Sequence, residues 1–232
     1  MLVVALVLAC ILNKKDLRFK GFFRTMIFVP CTTSLVAYSI IFRSLFANNG
    51  LVNYVLVNIG ILDKPYNFLT QPFAAKMVIL LGLLWRWTGY NMVFFLSGLQ
   101  NIEYSVYEAA KIDGASAIQT FFKITVPLLK PTILLTAIMS TNGTLQLFDE
   151  SVNLTDGGPA NASISMSHYI YNLCFKYVPN FGYAAAMSFF ILLLVAVLAF
   201  IQMRVGDNIF FQRKSRKSYG GMGMSRSFPN DS

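Results

Sequence analysis

Apolar residues along this chain gather into long continuous runs, separated by shorter polar stretches. Five runs can be drawn: Met1 to Leu12, about Phe23 to Phe46, about Phe73 to Leu99, Pro131 to about Leu147, and Tyr183 to Met203. A helix rises about 1.5 Å per residue and needs about 20 apolar residues to cross a bilayer. The later runs approach or exceed that length; the first is too short to cross alone. Because the runs do not alternate apolar with polar, they predict membrane helices rather than the strands of a barrel. The expected fold is an all-α integral membrane protein with about five transmembrane helices.

One polar stretch departs from this pattern. Between Glu103 and Lys130 the chain reads E-Y-S-V-Y-E-A-A-K-I-D-G-A-S-A-I-Q-T-F-F-K-I-T-V-P-L-L-K. Glu103, Glu108, Ala109, Ala110 and Lys111 suit a short helix. Asp113-Gly114 should break it, because glycine tolerates the positive φ that ends a helix. A second short helix is predicted from Ala115 to Ile124, carrying Phe121, Phe122 and Ile124 near one edge. Val126-Pro127 should end it, with Pro127 and Pro131 framing the return to the membrane. Such a helix–turn–helix could lay its apolar side chains into a groove on a partner. The alternative is an amphipathic segment resting on lipid headgroups. Glu103, Glu108 and Asp113 balance the three lysines of this loop, which makes lipid adhesion the poorer explanation.

Composition and charge add an orientation. Hydrophobic residues make up 56% of the 232 and charged residues 12%, about half the charged share of soluble domains. Of the 19 Lys and Arg, five lie in residues 13–24, three in residues 100–130 and six from residue 204 onward. The loops 47–72 and 151–182 hold only Lys64 and Lys176. Basic residues accumulate on the cytoplasmic side, so the loop of 101–130 and the C-terminus are expected there, in a multi-pass membrane protein. The net charge of +9 is thereby explained by topology and points to no nucleic acid partner. Five spans with a cytoplasmic C-terminus put the N-terminus outside, although Met1 to Leu12 lacks the marks of a signal peptide. The expectation is that the chain begins inside a helix and that an upstream span is missing; a genuinely short, tilted or re-entrant first helix is the alternative. Residues 1–205 then form the membrane domain, and 206–232 a basic, disordered tail attracted to anionic lipid.

Enzyme chemistry finds no foothold. Cys10, Cys31 and Cys174 form no C-x-x-C pair and imply neither a disulfide nor a metal framework. His168 is the single histidine, and a lone histidine is more often a packing or surface residue than a ligand. No G-x-x-x-x-G-K-[ST] is present, so no ATP site, cofactor or metal is expected on this chain.

Polar residues inside the spans are costly in lipid and mark candidate paths. Arg86 falls near mid-bilayer, where an unpaired arginine costs roughly 2.5–3.5 kcal/mol on insertion scales. Tyr90 shares its face, with Trp85, Trp87 and Asn91 beside them. In the fourth run Thr132, Thr136, Ser140 and Thr144 recur every four residues, with Asn142, Gln146 and Asp149 alongside. Aromatic rings and amides would suit a neutral oligosaccharide. The plainer reading is that the Thr/Ser stripe bonds helices together and that Gly182-x-x-x-Ala186 packs backbones closely; for the stripe and for Gly182 that reading is preferred.

Glu108-Ala109-Ala110, Gly114, Ile124 and Pro127 together resemble the EAA loop of permease subunits in binding-protein-dependent ABC importers. Val126 stands where that family usually has leucine. Phe28-Val29-Pro30, Gly50 to Asn53, Gly98 to Ile102 and Leu154 to Pro159 are similar to its carbohydrate branch, among permeases of disaccharide and multiple-sugar systems and the larger maltose permease subunit. The resemblance implies a type I importer core, normally of six spans, in which Glu108, Ala109, Ala110, Asp113, Gly114, Ile124 and Pro127 couple to a cytoplasmic ABC ATPase dimer that uses ATP and Mg. It further implies a second permease subunit, a heterodimer with this one, and an extracytoplasmic sugar-binding protein. Import of another small polar solute, such as glycerol phosphate, is the alternative. A secondary transporter would use Arg86 but would have no need of the loop.

Overall fold

The computed structural model describes residues 1–14 and 17–220, with side chains as far as Gly206. Among the described residues the chain is helical, with no strand. Its elements are α1 (Leu2–Leu12), α2 (Lys20–Thr32), α3 (Leu35–Leu45), α4 (Leu51–Asn58), α5 (Pro72–Gln100), α6 (Tyr104–Ile112), α7 (Ala117–Thr120), α8 (Val126–Leu145), α9 (Met166–Tyr171) and α10 (Phe181–Gly220). Among the described residues three helices are long and apolar enough to cross a membrane: Pro72–Gln100, Ala117–Leu145 and Phe181–Gly206.

The second predicted span is broken. α2 and α3 meet at 99°, where Thr33 and Ser34 adopt extended backbone. The sequence supplies the cause. Pro30 withdraws one helical N–H, and the Thr32 and Thr33 hydroxyls both donate to the Val29 carbonyl, competing with continuation of the helix. The expected count of five spans therefore resolves into three continuous helices, one bent pair and the short α1.

α5 is the hub. Ala5 and Ala9 of α1 are fully buried with Met92, Phe95, Leu96 and Leu99 of α5, small residues bringing one backbone close to the other's large side chains. The two halves of the bent span reach the same helix. At Gly89 an added Cβ would overlap the Ile27 carbonyl of α2, and at Gly82 it would overlap the Tyr38 hydroxyl of α3. Tyr38 also anchors a second core with Phe42, Val78, Ile79, Leu83 and Leu154. α10 is covered little within this chain; only 6% of its most apolar stretch is buried. Gly182, expected to pack backbones, has open space around it.

Two loops are held by buried polar side chains. Asn53 donates to the carbonyls of Ala47 and Tyr66 and accepts from the Tyr66 N–H, closing the loop after α3. After α8, Ser151 is buried and donates to the Ser163 carbonyl at 2.8 Å while accepting from the Ser165 N–H at 3.2 Å. The fully buried His168 places Nδ1 2.9 Å from the same hydroxyl. With its one proton committed to Ser163, Ser151 accepts from the ring, so neutral His168 carries its proton on Nδ1. His168 Nε2 then has no hydrogen-bond partner; Asp156 Oδ1 lies 3.8 Å away and is engaged by Lys176 at 2.8 Å. Burial lowers the His168 pKa, an effect larger than the opposing pull of Asp156. The segment Ala117 to Leu145 is one helix of 29 residues, and α10 continues to Gly220, into the first part of the tail expected to be disordered; residues 221–232 lie outside the described residues.

Two predictions follow from this packing. Gly89→Val should lower the thermal midpoint of the detergent-solubilised protein by an amount equivalent to about 1–3 kcal/mol of overpacking. Gly21→Ala, with nothing within 4 Å, should leave it unchanged or slightly raised; equal loss in both variants would contradict the packing of α2 on α5. For His168 the folded state favours the neutral ring, so its contribution is full above the unfolded pKa of about 6.5 and is lost as pH falls below that value. The midpoint of the wild type should therefore fall more steeply from neutral toward acid pH than that of His168→Gln. Parallel pH curves would refute the assignment.

Candidate functional site

The loop of 101–130 is built from two helix-end devices placed back to back. α6 ends at Asp113, after which Gly114 takes φ +72°. The Gly114 N–H donates to the Lys111 carbonyl at 3.2 Å and the Ala115 N–H to the Ala110 carbonyl at 3.0 Å, the paired bonds of a glycine-terminated helix. Ser116 then opens α7, its hydroxyl accepting from the Gln119 N–H while the Gln119 side chain accepts from the Ser116 N–H. An added Cβ at Gly114 meets nothing within 4 Å, so the requirement for glycine there is conformational, worth about 1 kcal/mol.

The faces of α6 divide cleanly. Ala110 is buried, and Tyr107 receives a hydrogen bond at 3.3 Å from the buried Thr125. Glu108, Ala109 and Asp113 are exposed, next to Ile112 at 85% and Ile118 at 72% exposure. Predicted coupling residues Glu108, Ala109, Asp113 and Gly114 thus share one uncovered surface. Ile124 and Pro127 lie elsewhere: Ile124 in a π-helical turn, Phe121–Thr125, and Pro127 in the first turn of α8.

That placement corrects the expectation that Val126-Pro127 ends a short helix. α7, the π-turn and α8 form one unbroken rod. A proline clashes with the carbonyl four residues before it in a regular helix; the wider π-turn immediately upstream accommodates Pro127 without breaking the rod. Pro131 likewise sits inside α8. The 29 residues extend about 44 Å, from the exposed surface of α6 to Leu145, one turn beyond Asn142.

At the far end of the rod, Asn142 lines a cavity of about 630 Å³ with Gln146, Ser167 of α9 and Ser188 of α10. Gln146 Nε2 donates to Asn142 Oδ1 at 2.8 Å, on an exposed surface. Isoleucine and leucine from α9 and α10 supply apolar walls, so the site combines amides and hydroxyls with aliphatic surface, a lining suited to a neutral polar molecule.

The other polar residues singled out in the spans serve different roles. Asn91 is fully buried, donating to the Trp87 carbonyl and accepting from Ser140 of α8 at 3.1 Å; it joins α5 to α8. Tyr90 packs edge-on against Trp87 and Phe94. Within the stripe, Thr136 and Thr144 donate to carbonyls of their own helix, and Ser140 alone of the three crosses to another helix. Arg86 is paired, its Nη1 3.3 Å from Glu150 Oε1, with side-chain exposures of 24% and 5%. Asp149 is half-buried beside that pair. The structure therefore splits the six path candidates: Asn142 and Gln146 line the cavity, whereas Arg86, Tyr90, Asn91 and Asp149 are not among its lining residues. Glu150, Ser167 and Ser188 escaped sequence reasoning. Glu150 was legible in principle, since a mid-span arginine demands a counter-charge and Asp149-Glu150 is the one adjacent acidic pair. Among the described residues no cluster of three His, Cys, Asp or Glu side chains could hold a metal ion.

The family model for the binding-protein-dependent transport system inner membrane component matches residues 1–209. The lactose transport system permease protein LacF of Rhizobium radiobacter is 53% identical over 219 residues, 94% of this chain and 71% of that protein. The arabinooligosaccharides transport system permease protein AraP of Bacillus subtilis (strain 168) is 33% identical over 208 residues, 88% of this chain and 66% of that protein. This chain thus spans about two thirds of the length of the relatives it matches. A chain from the crystal structure of a bacterial ABC transporter involved in the import of the acidic polysaccharide alginate shares the fold, with a TM-score of 0.80, 23% identity and coverage of 89% of this chain and 72% of that one. Matched along nearly its whole length, this chain belongs to the family of binding-protein-dependent transport system inner membrane components.

Proposed function

We propose that this chain is the permease subunit of an ATP-driven sugar importer, forming half of the path for a di- or oligosaccharide across a bacterial inner membrane. The supporting observation is the rod Ala117–Leu145. It begins at the capped turn that carries the coupling residues and ends at the amide pair Asn142 and Gln146. A displacement imposed on α6 and Gly114 reaches the cavity through one rigid element. Beyond the Gly114–Ser116 turn no loop interrupts it before Leu145.

In this reading α6 and the C-terminus face the cytoplasm, as the basic residues indicate. A partner ATPase dimer, which binds ATP and Mg, grips the exposed surface of Glu108, Ala109, Asp113 and Ile112. A second permease subunit supplies the other half of the path, and an external binding protein delivers the sugar at the opposite side. The names of the relatives, lactose and arabinooligosaccharide permeases, favour a saccharide. So does the lining: Asn142, Gln146, Ser167 and Ser188 offer neutral donors and acceptors, and Glu150 compensates the mid-span charge of Arg86.

Glu108→Lys and Gly114→Leu should each reduce co-purification of the ATPase and abolish stimulation of its hydrolysis, while membrane insertion stays normal. Gly114→Ala, free of steric conflict, should cost only about 1 kcal/mol of local stability and keep most of the coupling. Full transport by both of the first two variants, or ATP-independent uptake by this chain alone, would sink the importer reading. For the ion pair, Arg86→Gln should be destabilising by about 3–5 kcal/mol, because it leaves the buried Glu150 uncompensated, and Glu150→Gln by less, because Arg86 is partly exposed. The double variant should recover most of the folded yield. Additive losses in the double-mutant cycle would show that the two charges are independent.

A further inference from the structure

A second and larger cavity, of about 770 Å³, lies behind α6, on the side opposite its exposed coupling surface. Its walls come from four elements: the end of α1 (Asn13, Lys14), the end of α5 (Gln100), the inner face of α6 (Tyr107, Lys111) and the start of the long rod (Thr120). Two lysines, two carboxamides and hydroxyls line it, and among the described residues no Asp or Glu does. Ala117, which opens the 29-residue rod, also lines the cavity, so the positive end of that helix adds to the field of the lysines. Apolar side chains of Leu99, Ile102 and Phe121 form the opposite wall.

We infer that this cavity binds a phosphate-bearing anion, and that the bound anion ties the inner face of the coupling helix to α1 and α5. The inference rests on the proposed orientation, in which this end of the bundle lies at the cytoplasmic membrane surface. There two sources offer the same chemistry, an anionic phospholipid headgroup or a soluble phosphate. The two charged ligands are drawn from different elements: Lys14 follows α1 and Lys111 sits in the last turn of α6. A dianion between them would stabilise one position of α6 relative to the membrane core. A lysine at a helix C-terminus also complements the carbonyl end of its own helix; that role alone would make no distinction between anionic and neutral lipid.

The test uses the full-length permease in phosphatidylcholine nanodiscs, with and without its ATPase partner, as wild type and as Lys14→Gln/Lys111→Gln. Both lysines are outside the packed core, so the double variant is expected to fold, which a monodisperse profile and an unchanged helical spectrum would establish. In one arm phosphatidylglycerol is included and its retention is read by native mass spectrometry. In the other arm inorganic phosphate is titrated and the thermal midpoint is followed. One basic residue near the membrane surface contributes about 1 kcal/mol toward an anion, so the double variant should bind about 30-fold more weakly. Retention of phosphatidylglycerol by the wild type alone assigns the site to lipid; a phosphate-dependent midpoint in the wild type alone assigns it to a soluble anion. Equal behaviour of wild type and variant in both arms overturns the proposal, as does anion binding that disappears when the ATPase docks. Anion binding without any ATPase association would leave this site standing and count against the importer reading instead.

Discussion

An arginine halfway along an apolar helix must find a counter-charge, and much of the architecture follows from where this one finds it. Glu150 lies 64 residues beyond Arg86 in sequence, past the end of α8. To reach Arg86 the chain cannot continue outward after Leu145; it must fold back against α5 and α3. Ser151, the next residue, is thereby buried, and it collects the Ser163 carbonyl, the Ser165 N–H and His168. Those bonds fix the start of α9, which in turn places Ser167 in the cavity wall beside Asn142 and Gln146. One ion pair thus organises the loop and, through it, one side of the polar cavity.

The second constraint is mechanical. In the proposed function the rod joins a coupling surface to a cavity and has to remain a helix, yet it contains Pro127 and Pro131 near its entry to the apolar region. Prolines there would ordinarily bend or break it. The π-turn Phe121–Thr125 resolves the conflict by widening the helix just ahead of Pro127, and Thr125 uses the altered register to bond Tyr107 of α6. α6 is therefore attached to the rod twice, through the Gly114–Ser116 turn and through the Tyr107–Thr125 bond. A push on α6 can be passed on by both.

Sequence reasoning located what depends on local periodicity and local chemistry. The apolar runs, the short helix over the E-A-A motif, the glycine stop at Gly114 and the too-short first helix all rest on residues within a turn or two of each other. What it missed either leaves no mark in hydropathy or depends on distant partners. The bend at Thr33 and Ser34 looked like continuous apolar sequence, because hydropathy does not register that two threonines prefer the Val29 carbonyl. Pro127 looked like a stop, because a π-turn has no compositional mark. Arg86 looked unpaired, because Glu150 becomes its neighbour only after the chain folds back. The contacts of Asn91 were illegible for the same reason; its amide meets Ser140 and its own helix.

The distribution of burial carries the argument one step further. In their most apolar stretches α5 is 50% buried within the chain, the rod containing α8 17%, and α10 6%. α5 is therefore the helix most covered within the chain, whereas α8 and α10 are covered far less. The cavity that holds Asn142 and Gln146 lies between the two least covered helices, and its amide pair is exposed. A sugar cannot cross a bilayer against such a half-open wall without meeting lipid. In the proposed assembly the missing wall is the second permease subunit, so the contacts that select the sugar are divided between two chains. In that assembly, substitutions at Asn142 or Gln146 should alter transport most when the facing residues of the partner are also changed.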